Sequence, residues 1–323
     1  MATNIAPHRP FAADIGSRLT GQMPLIALVL LCAVSAVLSD RFLSTVNMTN
    51  VLLQGSVMAV IAIGMTYVII CGGFDLSVGS VVALSGCVTA MVMIRYGILA
   101  GIIAGVAVGA IVGVINGLIV TKLQINPFIA TLGTMVTFRG VTYLITGGHT
   151  IFGEDGLPAS FNNVATDRIL GIHELIWLSA LFFVLFAWLL HATAYGKRLF
   201  ATGGNREAAY LAGIAVDRVT ISAYVWCGTL AGIAGVMLAA RLQSGQPTAG
   251  EFYELTAIAA VVLGGAALQG GEGTLYKSII GVFIMIVLGN SLNLLNVDSY
   301  WQRVAIGAVI IAAAAADRLR YRR

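Results

Sequence analysis

Ten long apolar segments limit what this chain can fold into. They lie at about 24–39, 51–71, 76–94, 98–121, 127–146, 174–193, 218–240, 254–270, 277–295 and 301–316. The hydrocarbon core of a bilayer is about 30 Å thick, so an α-helix needs about 20 apolar residues to cross it. The chain is 59% hydrophobic and 10% charged, whereas soluble domains have about 45–50% apolar and about 25% charged residues. We therefore expect an all-α polytopic membrane protein with about ten transmembrane helices, in one transmembrane domain at 23–316.

The positively charged residues are distributed unevenly between the two ends of these segments. If the amino terminus is placed in the cytoplasm, twelve of the 18 Lys and Arg residues fall on the cytoplasmic side, five fall outside, and Arg139 lies within a span. Because short cytoplasmic loops carry an excess of Lys and Arg, we expect both termini in the cytoplasm. The chain then has a cytoplasmic tail at 1–22, a long external loop at 147–173 and a basic cytoplasmic tail at 317–323, near anionic lipid. A basic start before one apolar run also resembles a secretory signal, but nine further segments favour an uncleaved first helix.

Two stretches of the first half have counterparts in the second half. FDLSVGSVVALSG, from Phe74, aligns with YELTAIAAVVLGG, from Tyr253, so that an aromatic residue, an acid, a leucine and a hydroxyl coincide. NGLIVTKLQINPFIATLG, from Asn116, aligns with NSLNLLNVDSYWQRVAIG, from Asn290, with Asn, Leu and the final Gly in register. These matches predict that the chain contains two copies of one unit.

The two predicted copies occupy residues 51–146 and 218–316 and hold four spans each. One span, at 174–193, lies between them, so the second copy is displaced by five spans and crosses the membrane the other way up. Inverted repeats of this kind recur in transporters, where the substrate path lies at the interface between the repeats. We therefore expect an inverted 4+4 repeat around a central path.

The fourth span has glycine at every fourth position: Gly101, Gly105, Gly109, Gly113 and Gly117. Small residues on one face of a transmembrane helix allow another helix to approach closely. We expect this face to be a packing surface.

Signatures of catalysis are missing from the sequence. The run GGEGTLYKS resembles a phosphate-binding loop, but Tyr276 stands where that motif needs glycine. His173 and Glu174 are not followed by the second histidine of a zinc-protease motif, because position 177 is tryptophan. The four cysteines lie in apolar segments without paired spacing, as packed thiols do. We therefore expect no enzyme, no metal or cofactor held by this chain, and no nucleic-acid partner.

Polar residues in or beside the spans are the candidates for lining a substrate path. Acids and hydroxyls follow two chain breaks, while several amides and one arginine lie in the spans: Asp75, Ser77, Asn116, Arg139, Gln246, Glu254, Thr256, Asn290, Asn293 and Gln302. The alternatives are that the acids and hydroxyls cap helices, that the amides join helices, and that Arg139 binds a neighbouring carbonyl or acid. The sequence leaves both sets of roles open, and it also leaves open whether the break at Gly72 and Gly73 lies within the membrane.

A polar segment at 195–217 separates two long apolar blocks. Within it, Gly203 and Gly204 interrupt the chain, Asn205 is a good N-cap, Glu207 lies in a first helical turn, and Gly213 is a C-terminal stop. A helix of about two turns is not stable alone in water. It must therefore be held either on lipid or, as its alanine-rich surface favours, in a groove of a partner protein.

The motifs GGFDLSVGS, NPFIATLGT, YGKRLFATGGNREAAYLAGI and QPTAGEFYELTAIAAVVLGG occur in this order. Together they resemble the permease subunit of monosaccharide ABC importers of the ribose-type branch, and the resemblance covers nearly the whole chain after residue 20. It implies a bacterial inner-membrane protein that acts with a second copy of itself, a cytoplasmic ATPase that binds ATP and Mg, and a periplasmic sugar-binding protein. One position departs from the family pattern, because acidic Glu272 stands where a basic residue is common.

The same resemblance implies that the short helix couples the permease to the ATPase. The matching positions are Gly203, Gly204, Asn205, Glu207, Ala208, Ala209, Leu211 and Gly213. Two other classes remain as alternatives. An autonomous ion-coupled sugar transporter would use an inverted repeat equally well, and a membrane enzyme would need a catalytic cluster that the sequence does not contain.

Overall fold

The computed structural model describes residues 22–153 and 156–320. Within these ranges the regular secondary structure is helical apart from one short antiparallel hairpin and an isolated bridge between Ile151 and Gly245. The helices are α1 Met23–Leu38, α2 Thr45–Ile70, α3 Val78–Tyr96, α4 Ile98–Lys122, α5 Pro127–Thr146, α6 Ala159–Thr166, α7 Glu174–Ala192, α8 Ala194–Gly204, α9 Arg206–Leu211, α10 Val216–Leu242, α11 Tyr253–Leu263, α12 Leu275–Leu294 and α13 Ser299–Arg320, with strands β1 Arg168–Ile169 and β2 Ile172–His173 before α7. The predicted tails lie outside the described residues, except for Gln22 and for residues 317–320, which continue α13.

The chain is a multi-pass membrane protein. Among the described residues, seven helices are long and apolar enough to cross a bilayer, namely α2, α3, α4, α5, α7, α10 and α12. Each of the ten predicted spans overlaps one helix, but α1 has 16 residues and α11 only 11. The total of ten crossings therefore stays a prediction.

The predicted span at 254–270 is wrong in its extent. Helix α11 ends at Leu263, and an irregular loop follows as far as Thr274. Gly265 has a φ of +87°, and a Cβ at Gly264 would lie 2.5 Å from the carbonyl oxygen of Lys277. Apolar composition continues past this point, but backbone geometry ends the helix after about 16 Å, half of a hydrocarbon core.

The break between α2 and α3 lies within the bundle. Gly72 adopts a φ of +84° and turns the chain back, and α3 starts only at Val78. Asn116 of α4 donates a hydrogen bond to the hydroxyl of Ser77 at 2.8 Å. Asn116 lies six residues, about 9 Å, before the end of α4. The start of α3 is therefore well inside the length of its neighbour.

The glycine face of α4 packs against glycines of α10. A Cβ at Gly109 would lie 2.8 Å from the Cα of Gly232, and a Cβ at Gly228 would lie 2.8 Å from the Cα of Gly113. The two backbones therefore touch, which confirms the predicted packing role. The complementary glycines on α10, Gly228 and Gly232, are also four residues apart, but the sequence analysis did not pair them with α4.

Packing between the helices follows a paired pattern. Helix α3 packs on α4, α5 and α10, while α11 packs on α12, α13 and α2; α4 also packs on α10, α12 on α2, and α2 on α10. If α2 is exchanged with α10, α3 with α11, α4 with α12 and α5 with α13, the same set of contacts is obtained. Helix α7 packs on α2 outside this set.

Candidate substrate path and coupling segment

A buried polar network surrounds the break before α3. The Oδ1 atom of Asp75 accepts hydrogen bonds from the backbone amide of Ser77 at 2.9 Å and from its hydroxyl at 2.6 Å. Asn116 donates to the Ser77 hydroxyl, and Thr134 of α5 donates to the Oδ1 of Asn116 at 2.7 Å. The structure thus brings together three predicted path residues, all buried in the single chain. Thr134 was not predicted, because no motif in the sequence marks it as a partner of Asn116.

The second break, before α11, packs directly against the first. The carboxylate of Glu254 and the carbonyl of Gly250 both contact the backbone at Gly79, where no side chain could fit. Phe252 precedes α11 with a φ of +63°, and the hydroxyl of Thr256 donates back to its carbonyl at 2.9 Å. Glu254 is 9% exposed, and Thr256 is half-buried.

Arg139 of α5 holds the loop that leads into this second break. Its Nη1 atom donates to the carbonyl oxygens of Pro247 at 2.7 Å and Ala249 at 2.8 Å. The alternative that Arg139 binds neighbouring carbonyls is therefore confirmed. Gln246 of the same loop donates to the hydroxyl of Ser244 at 3.4 Å.

A half-open pocket of about 230 Å³ lies beside Arg139. Its lining residues are Met135, Val136, Arg139, Glu251, Phe252 and Glu254. The guanidinium carbon of Arg303 in α13 lies 5.2 Å from the centre of the Phe252 ring. Sequence reasoning identified Arg139 and Glu254 but missed Glu251 and Phe252, which directly precede the YELT motif that it used.

The remaining predicted path residues lie apart from these two breaks. Asn290 exchanges hydrogen bonds with Asn47 at 2.8 and 3.0 Å, near the start of α2. This contact confirms the alternative that an amide joins two helices. Asn293 is exposed, and Gln302 donates to the carbonyl of Val297 at 2.9 Å. These residues form a separate group near the opposite end of α2 from Asp75.

The segment after α7 contains the predicted short helix. The side chain of Asn205 accepts a hydrogen bond from the amide of Ala208 at 2.9 Å, so it caps α9, and Gly213 follows with a φ of +81°. Both signals are confirmed. Arg206 bonds to Asp217 of α10 at 3.1 Å, an exposed ion pair that contributes little stability. Most of α9 is therefore free to contact another protein.

One residue of the predicted docking surface points inward. Ala209 is 4% exposed and faces its own chain, because α9 is a single amphipathic turn resting on the bundle. Tyr210 and Leu211 are 71% and 78% exposed, and Glu207 and Ala208 are also exposed. Tyr210 was missed as a surface residue.

Three chain breaks meet at glycines beside α9. A Cβ at Gly203, the penultimate residue of α8, would overlap the carbonyl of Ile70 at the end of α2. The amide of Gly271 donates to this same carbonyl at 2.9 Å, and a Cβ at Gly270 would lie 2.8 Å from the Cα of Gly72. At Gly204 the nearest atom to an added Cβ is 3.9 Å away. The contact with the end of α2 and with the loop after α11 therefore requires glycine at 203 but not at 204.

The start of α8 is anchored in the bundle. The ring of Tyr195 stacks on Tyr67 of α2 with centroids 6.2 Å apart, and its hydroxyl accepts a hydrogen bond from Ser222 at 3.0 Å. Burial raises the pKa of Tyr195 to about 12, so this hydroxyl stays neutral. Gly196 packs against the carbonyl of Leu190 where no Cβ would fit. Helix α8 thus connects the exposed α9 rigidly to α2 and α10.

The chain was compared with known proteins. A family described as "Branched-chain amino acid transport system / permease component" matches residues 47–314. The ribose import permease protein RbsC of Haemophilus influenzae is 42% identical over 306 residues, which cover 94% of this chain and 95% of that protein. Its namesake in Bacillus subtilis is 45% identical over 296 residues, 91% and 92% of the two chains. The L-arabinose transport system permease protein AraH of Escherichia coli is 38% identical, over 92% and 90%. No solved structure matches the chain.

Proposed function

Because this chain belongs to the family of transport-system permease components, we propose that it is the permease subunit of an ATP-driven importer and carries a monosaccharide. The observation that carries the proposal is the 42–45% identity with two ribose import permeases over 91–94% of this chain. Relatives named for L-arabinose and D-allose are 38% identical. The cargo class that these names share is a ribose-like pentose or a related sugar.

The proposal is tested by assembling the purified chain with its ATPase and sugar-binding protein in proteoliposomes. We expect ATP-dependent accumulation of labelled ribose, arabinose or allose. Leucine is the control, because the matching family is described by branched-chain amino acid transport, and it should not accumulate. Import of leucine alone would contradict the sugar assignment. Sugar accumulation on an ion gradient without any ATPase would contradict the ATP-driven mechanism and favour a secondary transporter.

The proposed complex contains two copies of this chain, a cytoplasmic ATPase that binds ATP and Mg, and a periplasmic sugar-binding protein, in the bacterial inner membrane. This chain holds no cofactor of its own in the proposal. The orientation has both termini in the cytoplasm. The charge distribution supports this orientation. The end of the bundle that contains α8 and α9 also contains the basic residues Lys122, Lys197, Arg198, Arg206 and Arg218. Cytoplasmic loops carry such an excess of positive charge.

We further propose that the chain is an inverted repeat of α2–α5 and α10–α13. Two observations support this. The helix contacts are preserved when the two sets are exchanged, and Glu254 of the YELT motif contacts Gly79, two residues after the FDLS motif. The two aligned motifs are therefore close together, and a pseudo-two-fold axis would run between them. Transporters with this plan carry substrate near that point.

Coupling to the ATPase is proposed to occur through α9. Its exposed side chains, Glu207, Ala208, Tyr210 and Leu211, form the docking surface, and the buried Ala209 holds α9 on the bundle. Movement of α9 passes through α8 to Gly203, which contacts Ile70 before the first break and Gly271 after α11. Because these backbones are in direct contact, closure of the ATPase would shift the first break and the loop after α11 together.

The docking proposal is tested by replacing Ala208 with tryptophan. Ala208 is exposed, so the variant should fold normally but lose binding to the ATPase and all ATP-dependent uptake. Ala212→Trp, also exposed and just beyond α9, is the matched control and should retain at least half of the binding. An intact complex with normal uptake for A208W would contradict the docking surface.

A further inference from the structure

The loop before α11 exposes charged and aromatic side chains at a depth where lipid would not tolerate them. Glu251 and Phe252 are exposed, yet the adjacent Gly250 packs on Gly79 in the first turn of α3. That turn lies beside Asn116, about 9 Å inside the end of α4. A carboxylate exposed at such a depth in a membrane protein faces water or protein, because facing hydrocarbon is costly. This side of the bundle is therefore not lined by lipid.

The pocket beside this loop has the dimensions of a site for a small molecule. Its volume is about 230 Å³, and its open side would admit a molecule the size of one sugar ring. The carboxylates of Glu251 and Glu254 can accept hydrogen bonds from hydroxyl groups. The Nη1 atom of Arg139 bonds to the carbonyls of Pro247 and Ala249, so Arg139 fixes the loop that forms the pocket wall. The two carboxylates are then the groups that can accept hydrogen bonds from a ligand.

Phe252 supplies an apolar platform to the same pocket. It has a φ of +63°, a conformation that a bulky residue adopts only when its surroundings hold it there. The guanidinium of Arg303 lies 5.2 Å from its ring centre, within the range of a cation–π contact. Even so, 47% of the residue stays exposed. The backbone therefore presents the ring to the pocket, and does not bury it.

We propose that this pocket is a sugar contact site on the substrate path, in which the ring of Phe252 stacks on the C–H face of a monosaccharide while Glu251 and Glu254 accept its hydroxyls. The proposal rests on the proposed function, because it assumes that the chain carries a sugar. Two acceptor groups and one ring face recognise a polyhydroxylated ring in general and bind it weakly. Such a contact suits a conduit that must release its cargo.

The first test measures sugar transported per ATP hydrolysed by the complete transporter in proteoliposomes. Phe252→Leu should lower this ratio about tenfold, the loss expected for one aromatic contact, and should change the preference between ribose and arabinose. Glu251→Gln should lower the ratio less. Trp188→Leu on α7, where the side chain is 60% exposed outside the pocket, is the control and should leave the ratio unchanged. ATPase activity and complex yield should stay normal in all three. Unchanged transport by F252L would overturn the proposal.

The second test measures access to the site directly. Phe252→Cys should react with a membrane-impermeant maleimide above the background of the four native cysteines, which are buried or half-buried. Saturating ribose should slow the reaction during turnover. Val184→Cys, 63% exposed on α7, should not react. If position 252 is not labelled, as would happen if a second copy simply covered it, the proposal is overturned. It is also overturned if ribose does not slow the labelling. If the unaltered protein carries leucine and no sugar, the proposed function fails instead, so the two failures are distinguishable.

Discussion

The two chain breaks carry related motifs but differ in what surrounds them. Before α3, Asp75 and Ser77 are fully buried and bonded to each other and to Asn116. Before α11, the aligned Glu254 borders an open pocket. The aligned Thr256 is half-buried and donates to the carbonyl of Phe252, the residue just before its helix. The two aligned motifs therefore lie at a closed break and an open one.

The difference originates in one pair of aligned asparagines. Asn116 turns toward its own break and bonds to Ser77, with Thr134 behind it. Its counterpart Asn290 bonds instead to Asn47 at the start of α2. Asn290 therefore does not take the place at the second break that Asn116 has at the first, and Arg139 of α5 holds the loop of the second break. The closed break provides rigidity, and the open break leaves room for a ligand.

The largest expected effect comes from removing the acid of the closed break. Asp75→Ala leaves the Ser77 amide and the Ser77 hydroxyl without their shared acceptor, while Asn116 keeps its bond to that hydroxyl. Each buried group left unpaired costs about 1–3 kcal/mol, so the loss should be about 2–6 kcal/mol. We expect little monodisperse protein in detergent extracts.

Asp75→Asn is the matched control for this change. It retains an acceptor oxygen of nearly the same shape, so it should restore a substantial part of the yield. Glu254→Ala at the open break should give a nearly normal yield. If D75A and E254A lowered the yield equally, the distinction between a closed and an open break would be wrong.

The second expected effect concerns the junction at which α8 contacts the end of α2 and the loop after α11. Gly203→Ala forces a methyl group against the carbonyl of Ile70, and overpacking of this kind costs about 1–3 kcal/mol. We expect lower thermal stability and a loss of sugar uptake that exceeds the loss of ATPase activity. Uptake and ATPase activity are measured on the same vesicles.

Gly204→Ala is the control, since the nearest atom to its Cβ is 3.9 Å away. It should change stability by less than about 0.5 kcal/mol and leave the ratio of uptake to ATPase activity intact. Equal behaviour of the two alanine variants would show that the junction does not transmit movement.

The sequence predicted the apolar helices because their length and composition act locally. It also predicted the cap at Asn205, the stop at Gly213 and the close packing of the α4 glycines, since each depends on one short motif. It did not predict that Thr134 joins the Asp75 network or that Gly203 meets Gly271, because these contacts connect residues far apart in the chain. The end of α11 at Leu263 was missed because apolar composition continues beyond it, while the left-handed backbone at Phe252 left no signal in composition.

The smallest expected effect is also the most direct comparison, because Ser77 and Thr256 are aligned residues of the two motifs. The Ser77 hydroxyl donates to Asp75 and accepts from Asn116 in a buried site, so Ser77→Ala should cost about 1–3 kcal/mol. The half-buried Thr256 hydroxyl bonds to the carbonyl of Phe252, four residues earlier, an arrangement that adds little stability, so Thr256→Ala should cost less than about 1 kcal/mol. The fraction of each purified variant that stays monodisperse after heating measures the difference. A destabilisation of T256A equal to that of S77A would mean that the open break is as tightly bonded in the assembled protein as the closed one, which would contradict the difference between the two breaks.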